Sequence, residues 1–150
     1  MIRAATKEDV PEIVRLGSLS LITGPYAGLL KDNPTQSAKF ALQVIEGANG
    51  KVLLYENDNG KVVGLLGFII FPHYFTQEPT ATEIMWFVEE GQRKEGGALK
   101  LLWQAEKEAK EMGATWMGLT APYDSPVSKI YARFGYRPIE TTHMKELRCQ

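Results

Sequence analysis

An apolar run from Ile84 to Val88 leads into two adjacent glycines, Gly96 and Gly97, and then into an amphipathic stretch that starts near Ala98. This order constrains the fold more than any other feature, because a strand, a glycine turn and a helix must follow one another over about twenty residues. Neither glycine has a Cβ, so the main chain can pass close to an anion. A helix starting near Ala98 offers N–H groups that its own ladder leaves unused, together with the positive end of its dipole. The layout predicts a phosphate-bearing ligand held between a strand and a helix. Taken alone, the turn is equally consistent with a plain surface connection.

The pattern excludes two common phosphate sites. No Gly-Lys-Ser/Thr follows the glycines, so this is not a P-loop. The first glycine of the dinucleotide fingerprint is missing as well. The spacing Arg93-x-x-Gly96-x-Ala98, with Val88 five residues before the arginine and Leu101-Leu102 eight and nine after it, resembles the acyl-CoA turn of the GNAT superfamily of N-acetyltransferases. Farther on, Tyr131, Gly135 and Tyr136 lie in DSPVSKIYARFGYRPIE at the spacing of that family's second motif. Asp124 stands where the family usually has Asn, and is expected to cap the short helix that follows. The opening Ile2-Arg3-x-Ala-Thr-x-x-Asp9 is also a common GNAT start, so the resemblance spans essentially the whole chain.

Periodicity fills in the remaining elements. Ile2 to Ala4 reads as a first strand, and Thr6 with Asp9 as the start of a helix whose apolar face carries Val10, Ile13, Val14 and Leu16. Residues 18–34 are broken by Gly24-Pro25, Gly28 and Asn33-Pro34. A second helix, Thr35 to Gly47, is expected to bury Phe40, Ala41, Val44 and Ile45. Val52 to Tyr55 and Val62 to Phe71 flank Asn57-Asp58-Asn59-Gly60, a hairpin signal, and Gly64 and Gly67 suggest a bulge or close backbone approach. Thr82 to Val88 reads as the fourth strand, Ala98 to Met112 as a helix closed by Gly113, and Thr115 to Thr120 as the fifth strand. A helix over Pro126 to Arg133 should end at Gly135 in a left-handed cap, and Tyr136 to Leu147 should add one or two final strands. The order β-α-α-β-β-β-α-β-α-β predicts a single mixed α/β domain over residues 1–150. The resemblance implies a GNAT-like acyl-CoA N-acyltransferase fold: a central, mostly antiparallel, twisted sheet with helices on both faces, whose fourth and fifth strands splay apart.

Bulk properties exclude several functions. A net charge of −1 favours neither nucleic acid nor an anionic membrane as partner. No apolar run reaches the length of about 18 residues that a membrane span needs. The start MIRAATKEDV lacks the layout of a secretory signal, and the one cysteine, Cys149, allows no intrachain disulfide, so a cytoplasmic location is expected. Cys149 is read as a tail residue, not a nucleophile. His73, His143 and Cys149 show no metal-ligand spacing, so no metal is expected. A Gly-x-Ser-x-Gly nucleophile elbow is absent.

The resemblance implies acetyl-CoA as cosubstrate and a primary amine as acceptor: a small molecule, a peptide N-terminus or a lysine. It makes Tyr131 the candidate general acid toward the CoA sulfur, the alternative being a tyrosine that packs its helix onto the sheet. Glu83 is the ionisable residue within the apolar fourth strand and the candidate base; otherwise it is a solvated strand-end charge. His73 is a rival base from a loop, and a water chain a third route; His143 is assigned a structural or rim role. Main-chain groups around Trp86, Phe87 and Val88 should pair with the pantetheine arm as an added strand. Arg93, Lys94, Glu95, Gly96, Gly97 and Ala98 should hold the pyrophosphate, with Lys94 and Lys100 near the adenosine phosphate. Trp86 and Trp103 read as core residues. Segment 18–33, with Tyr26, and the loop His73 to Thr80 are expected to wall the acceptor. Dimerisation is common in the family, though no patch in the sequence can be assigned to it. A CoA-binding module without catalysis is the alternative function.

Overall fold

The hairpin that Asn57 to Gly60 encodes organises the sheet. In the computed structural model, which describes residues 1–148, the Asn57 Oδ1 accepts the main-chain N–H groups of Asn59 at 3.1 Å and Lys61 at 3.0 Å, closing the turn. It joins β2 (Gly50–Glu56) to β3 (Val62–Pro72) in antiparallel register, with Leu54 opposite Leu65. β1 (Ile2–Ala4) adds antiparallel to β2, and β4 (Pro79–Val88) antiparallel to β3. β5 (Trp116–Gly118) pairs parallel with β4, giving a five-stranded sheet in the order β1-β2-β3-β4-β5.

The strands alternate, so each sheet face collects its own core. On one face Val52, Leu54 and Leu65 pack against Ile13 and Leu16 of α1 (Val10–Thr23) and Ala41 and Val44 of α2 (Pro34–Glu46). Leu53, Leu66 and Phe68 are fully buried, as are Leu101, Leu102 and Ala105 of α3 (Gly97–Glu111). Lys51 pairs with Glu108, tying β2 to α3. Truncating a fully buried leucine such as Leu54 to alanine should cost about 3 kcal/mol, through lost transfer energy and the cavity left behind.

The chain divides into two compact units, 1–119 and 120–150. Within the described part of the second, α4 (Val127–Arg133) ends as predicted. Gly135 has φ +89°, its N–H bonds Ala132 O at 3.1 Å, and the Tyr136 N–H bonds Tyr131 O at 3.0 Å.

Several expectations need correction. α1 runs through Ser18–Thr23, because the chain tolerates Gly17 within the helix and meets no breaker from there to Gly24-Pro25; the sequence suggests irregular chain from residue 18. Phe40 is exposed, since the apolar face of α2 is narrower than its composition suggested. No strand forms in Tyr136 to Leu147 among the described residues; Pro138 lacks a ladder donor, and Ile139, Met144 and Leu147 are exposed. Asp124 does not cap α4. Its φ of +55° is a conformation Asp tolerates, and Ser125 Oγ meets the Val127 N–H at 3.4 Å instead. Cys149 lies outside the described residues. No helix among the described residues is long and apolar enough to cross a membrane.

Candidate functional site

β4 has two unlike halves. Its pairing with β5 runs from Thr80–Trp116 to Thr82–Gly118, where β5 ends. From Glu83 to Val88, β4 has a strand on its β3 side only, among the described residues. The halves meet at a bulge: Gly67 faces Met85 while the next residue, Phe68, faces Glu83, so Ile84 is the extra residue on β4. A bulge bends its strand and increases its twist, and this one lies just beyond the last residue that pairs with β5. Glu83 sits at that step, half-buried, and is the ionisable residue of β4.

Ladder geometry shows which main-chain groups the open edge carries. The Glu89 N–H bonds Val63 O at 2.9 Å, which makes Gly64–Val88 a non-hydrogen-bonded pair and Leu65–Phe87 a hydrogen-bonded one. Phe87 therefore directs its N–H and C=O toward β3, and the amide groups of Trp86 and Val88 turn to the opposite edge. A Cβ at Gly64 would meet Val88 Cγ2 at 2.8 Å, the close approach its position had suggested.

The connection from β4 to α3 forms a 3-10 turn, Glu90–Glu95, and then Gly96, which has φ +75°. Open space surrounds the position a Gly96 Cβ would take. Gly96 is the N-cap of α3 and supplies no side-chain cap; the first helical bond is from Lys100 N–H to Gly96 O, at 3.1 Å. The helix ladder therefore leaves the N–H groups of Gly97, Ala98 and Leu99 for another acceptor. The turn is braced at both ends. Glu89 binds Arg15 Nη1 of α1 at 2.6 Å, and Glu95 accepts the Tyr55 hydroxyl at 2.8 Å. The Arg93 side chain lies over the Phe87 ring with its Nε on Val88 O at 2.9 Å, so it supports the strand end. A pyrophosphate fits these residues: an N–H-bearing helix start and a left-handed glycine with open space where its Cβ would stand.

In the second unit, the Tyr131 hydroxyl donates to Thr120 O at 2.7 Å, and its ring lies against Tyr136 with centroids 5.9 Å apart. A role as acid requires that hydroxyl to re-aim. His143 is exposed and lies in no strand.

His73 belongs to the β3–β4 hairpin. Its Nδ1 accepts the Phe75 N–H at 3.2 Å, its own N–H bonds Glu78 O at 2.9 Å, and its ring stacks on Tyr74. It borders a cavity of about 250 Å³ lined by Thr76, Glu78, Thr80 and Trp116. Its partners sit near the start of β4, about 13 Å along the strand from Glu83. Trp103 is 58% exposed, with Lys107 Nζ 5.9 Å from its ring centroid, which corrects its core reading; Trp86 is half-buried. No three His, Cys, Asp or Glu residues among those described are grouped to hold a metal. The sequence reading missed Tyr55. The available signal was the unusual pair of glycines, since a second small residue beside Gly96 implies a bulky neighbour beneath it.

The acetyltransferase (GNAT) family model matches residues 23–136. No curated protein matches the sequence. Among solved structures, a mutant protein from Bacillus halodurans is similar at TM-score 0.79 and 19% identity, over 99% of each chain. An aminoglycoside antibiotic 6'-N-acetyltransferase from Acinetobacter baumannii is similar at TM-score 0.76 and 21% identity, over 100% of this chain and 99% of that one. A third, an AAC(6')-type protein in complex with the bisubstrate analog CoA-S-monomethyl-acetylneamine, is similar at TM-score 0.76 and 19% identity, over 99% and 98%. These identities speak for the fold, and the family match covers most of the sequence. The chain belongs to the GNAT family of acetyltransferases.

Proposed function

We propose that this protein transfers an acetyl group from acetyl-CoA to a primary amine by direct attack. The observation that carries this reading is the uncapped start of α3 behind a left-handed Gly96, following a strand half that, among the described residues, has a neighbour on one side only. Family membership supports the same ligand. Bound acetyl-CoA supplies an activated thioester, so the protein's task is mainly placement and proton handling.

The first-turn N–H groups of Gly97 and Ala98 hold the pyrophosphate, and Lys94 of the 3-10 turn and Lys100 of α3 serve the outer phosphate. Val88 N–H, with main-chain groups of Trp86 on the same edge, pairs with the pantetheine arm; Phe87 contributes its ring to the strand end and not its amide. Glu83 takes the amine proton through water as the new C–N bond forms. Tyr131 returns a proton to the departing sulfur as the C–S bond breaks. A phenol suits that step, since its ordinary pKa of about 10 lies within about two units of a thiol's 8.5. His73 serves the hairpin, with its Nδ1 engaged by Phe75, so Glu83 is the better base.

The test is CoA release against a panel of amines: aminoglycosides, polyamines, lysine-bearing peptides and free peptide N-termini. Thiol release that depends on one class supports the reading and names the acceptor. Tyr131→Phe should lower kcat about tenfold to a hundredfold, with acetyl-CoA affinity within twofold. One observation favours a binding module without catalysis, namely the Tyr131 proton already donated to Thr120 O. Tight CoA binding with no turnover on any amine would select that alternative.

A further inference from the structure

Gly97 and Tyr55 share one volume. A Cβ on Gly97 would lie 2.2 Å from Tyr55 Cε1, 2.4 Å from Cζ and 2.5 Å from Cδ1, so the ring fills the space that any side chain at position 97 would need. Tyr55 comes from β2, is 6% exposed, and reaches up beneath the start of α3. Its hydroxyl meets Glu95 Oε2 at 2.8 Å, one residue before Gly96. Glu95 is the carboxylate within the span Arg93 to Ala98; that span is expected to meet the pyrophosphate through its main chain, which this side chain does not supply. The carboxylate raises the Tyr55 pKa above that of an ordinary phenol, and burial adds to the effect, so the phenol stays protonated and remains the donor.

A carboxylate at that place is a hazard for anion binding. Left to swing, it can fold over the turn, accept the unclaimed N–H groups itself and repel a phosphate. The Glu89 carboxylate, at the other end of the turn, is already paired with Arg15 and Lys61. We propose that Tyr55 is a positioning residue for the anion-binding turn: it draws the Glu95 carboxylate down to the sheet and leaves the α3 N–H groups to the phosphate of the ligand. This inference rests on the acetyl-CoA reading above. It also accounts for Gly97, whose missing side chain makes room for the ring that carries the hydroxyl.

The test is Tyr55→Phe, which keeps the ring and removes the hydroxyl, beside Glu95→Gln and the double variant, each titrated with acetyl-CoA and assayed for turnover. Tyr55→Phe should weaken acetyl-CoA binding about fivefold, with kcat at saturation within twofold, and the loss should shrink at high salt. Glu95→Gln should bind at least as tightly as the wild type. The double variant should match Glu95→Gln, because with the charge gone nothing is left to restrain. A role confined to packing predicts the opposite, a double variant as weak as Tyr55→Phe, and that result overturns the inference. So does unchanged affinity in Tyr55→Phe when the wild type binds. A wild type that fails to bind acetyl-CoA overturns the ligand reading itself, and is thereby told apart from failure of the Tyr55 assignment.

Discussion

Helices α2 and α3 begin in opposite ways. α2 starts with Pro34, and the Asn33 side chain accepts the Gln36 N–H at 3.1 Å, so the helix satisfies itself. α3 starts at a glycine in the left-handed region, with no side-chain cap and no acidic residue in its first turn. The start of α1 is a third case: it has no side-chain cap of its own and is led in by a 3-10 turn, Lys7–Asp9, in which the Asp9 carboxylate accepts the Thr6 N–H at 2.8 Å and pairs with Arg3, which also binds Glu56. Asn33 thus takes up a first-turn donor of α2, side chains close the turn that leads into α1, and α3 keeps its first donors in reserve. In a chain of the GNAT family, the reserved helix start is where a phosphate ligand is expected.

The sharpest way to break that contrast is to fill the reserved start. Gly96→Glu should lower acetyl-CoA affinity more than a hundredfold, about 3 kcal/mol, by placing charge and bulk at the turn. Gly96→Ala serves as control for the strain that any side chain meets at φ +75°, about 1 kcal/mol in thermal stability. Gly97→Ala should cost about 2 kcal/mol of stability in denaturant unfolding, because its Cβ overlaps the Tyr55 ring.

The α1 start should report through pH. Arg3, by hydrogen bonding, holds the Asp9 carboxyl down at about 2, below its ordinary value of 3.8. A depressed folded-state pKa gives stability that is present above the unfolded value and lost as pH falls through the folded one. Acid unfolding should therefore show a loss of about 1–2 kcal/mol between pH 4 and pH 2 that Asp9→Asn removes. At α2, Asn33→Ala should cost about 1 kcal/mol and leave acetyl-CoA affinity unchanged, the mirror image of Gly96→Glu. An Asn33→Ala variant that lost ligand affinity would blur the distinction.

What the sequence made legible was local. Asn57 to Gly60 announced the hairpin, Thr6 and Asp9 the start of the first helix, and Gly96 and Gly97 the turn before α3, because each is written in neighbouring residues. The bulge at Ile84 was hidden, since it exists only as a register between β3 and β4. Tyr55 beneath Gly97 was hidden for the same reason: the partners lie on β2 and α3 and meet only after the sheet forms. Asp124 was misread because a left-handed φ and a helix cap select the same residue types. Trp103 and Phe40 were misread because an aromatic on an amphipathic helix can border the apolar stripe without entering it.

The most direct measurement is calorimetric titration of the protein with acetyl-CoA, beside CoA, ATP and NAD, on wild type and Gly96→Glu. The account predicts saturable binding of the two CoA compounds, weak or no binding of ATP and NAD, and loss of the CoA signal in a folded Gly96→Glu. Equal binding of acetyl-CoA by the folded variant, or no binding by the wild type, would contradict it.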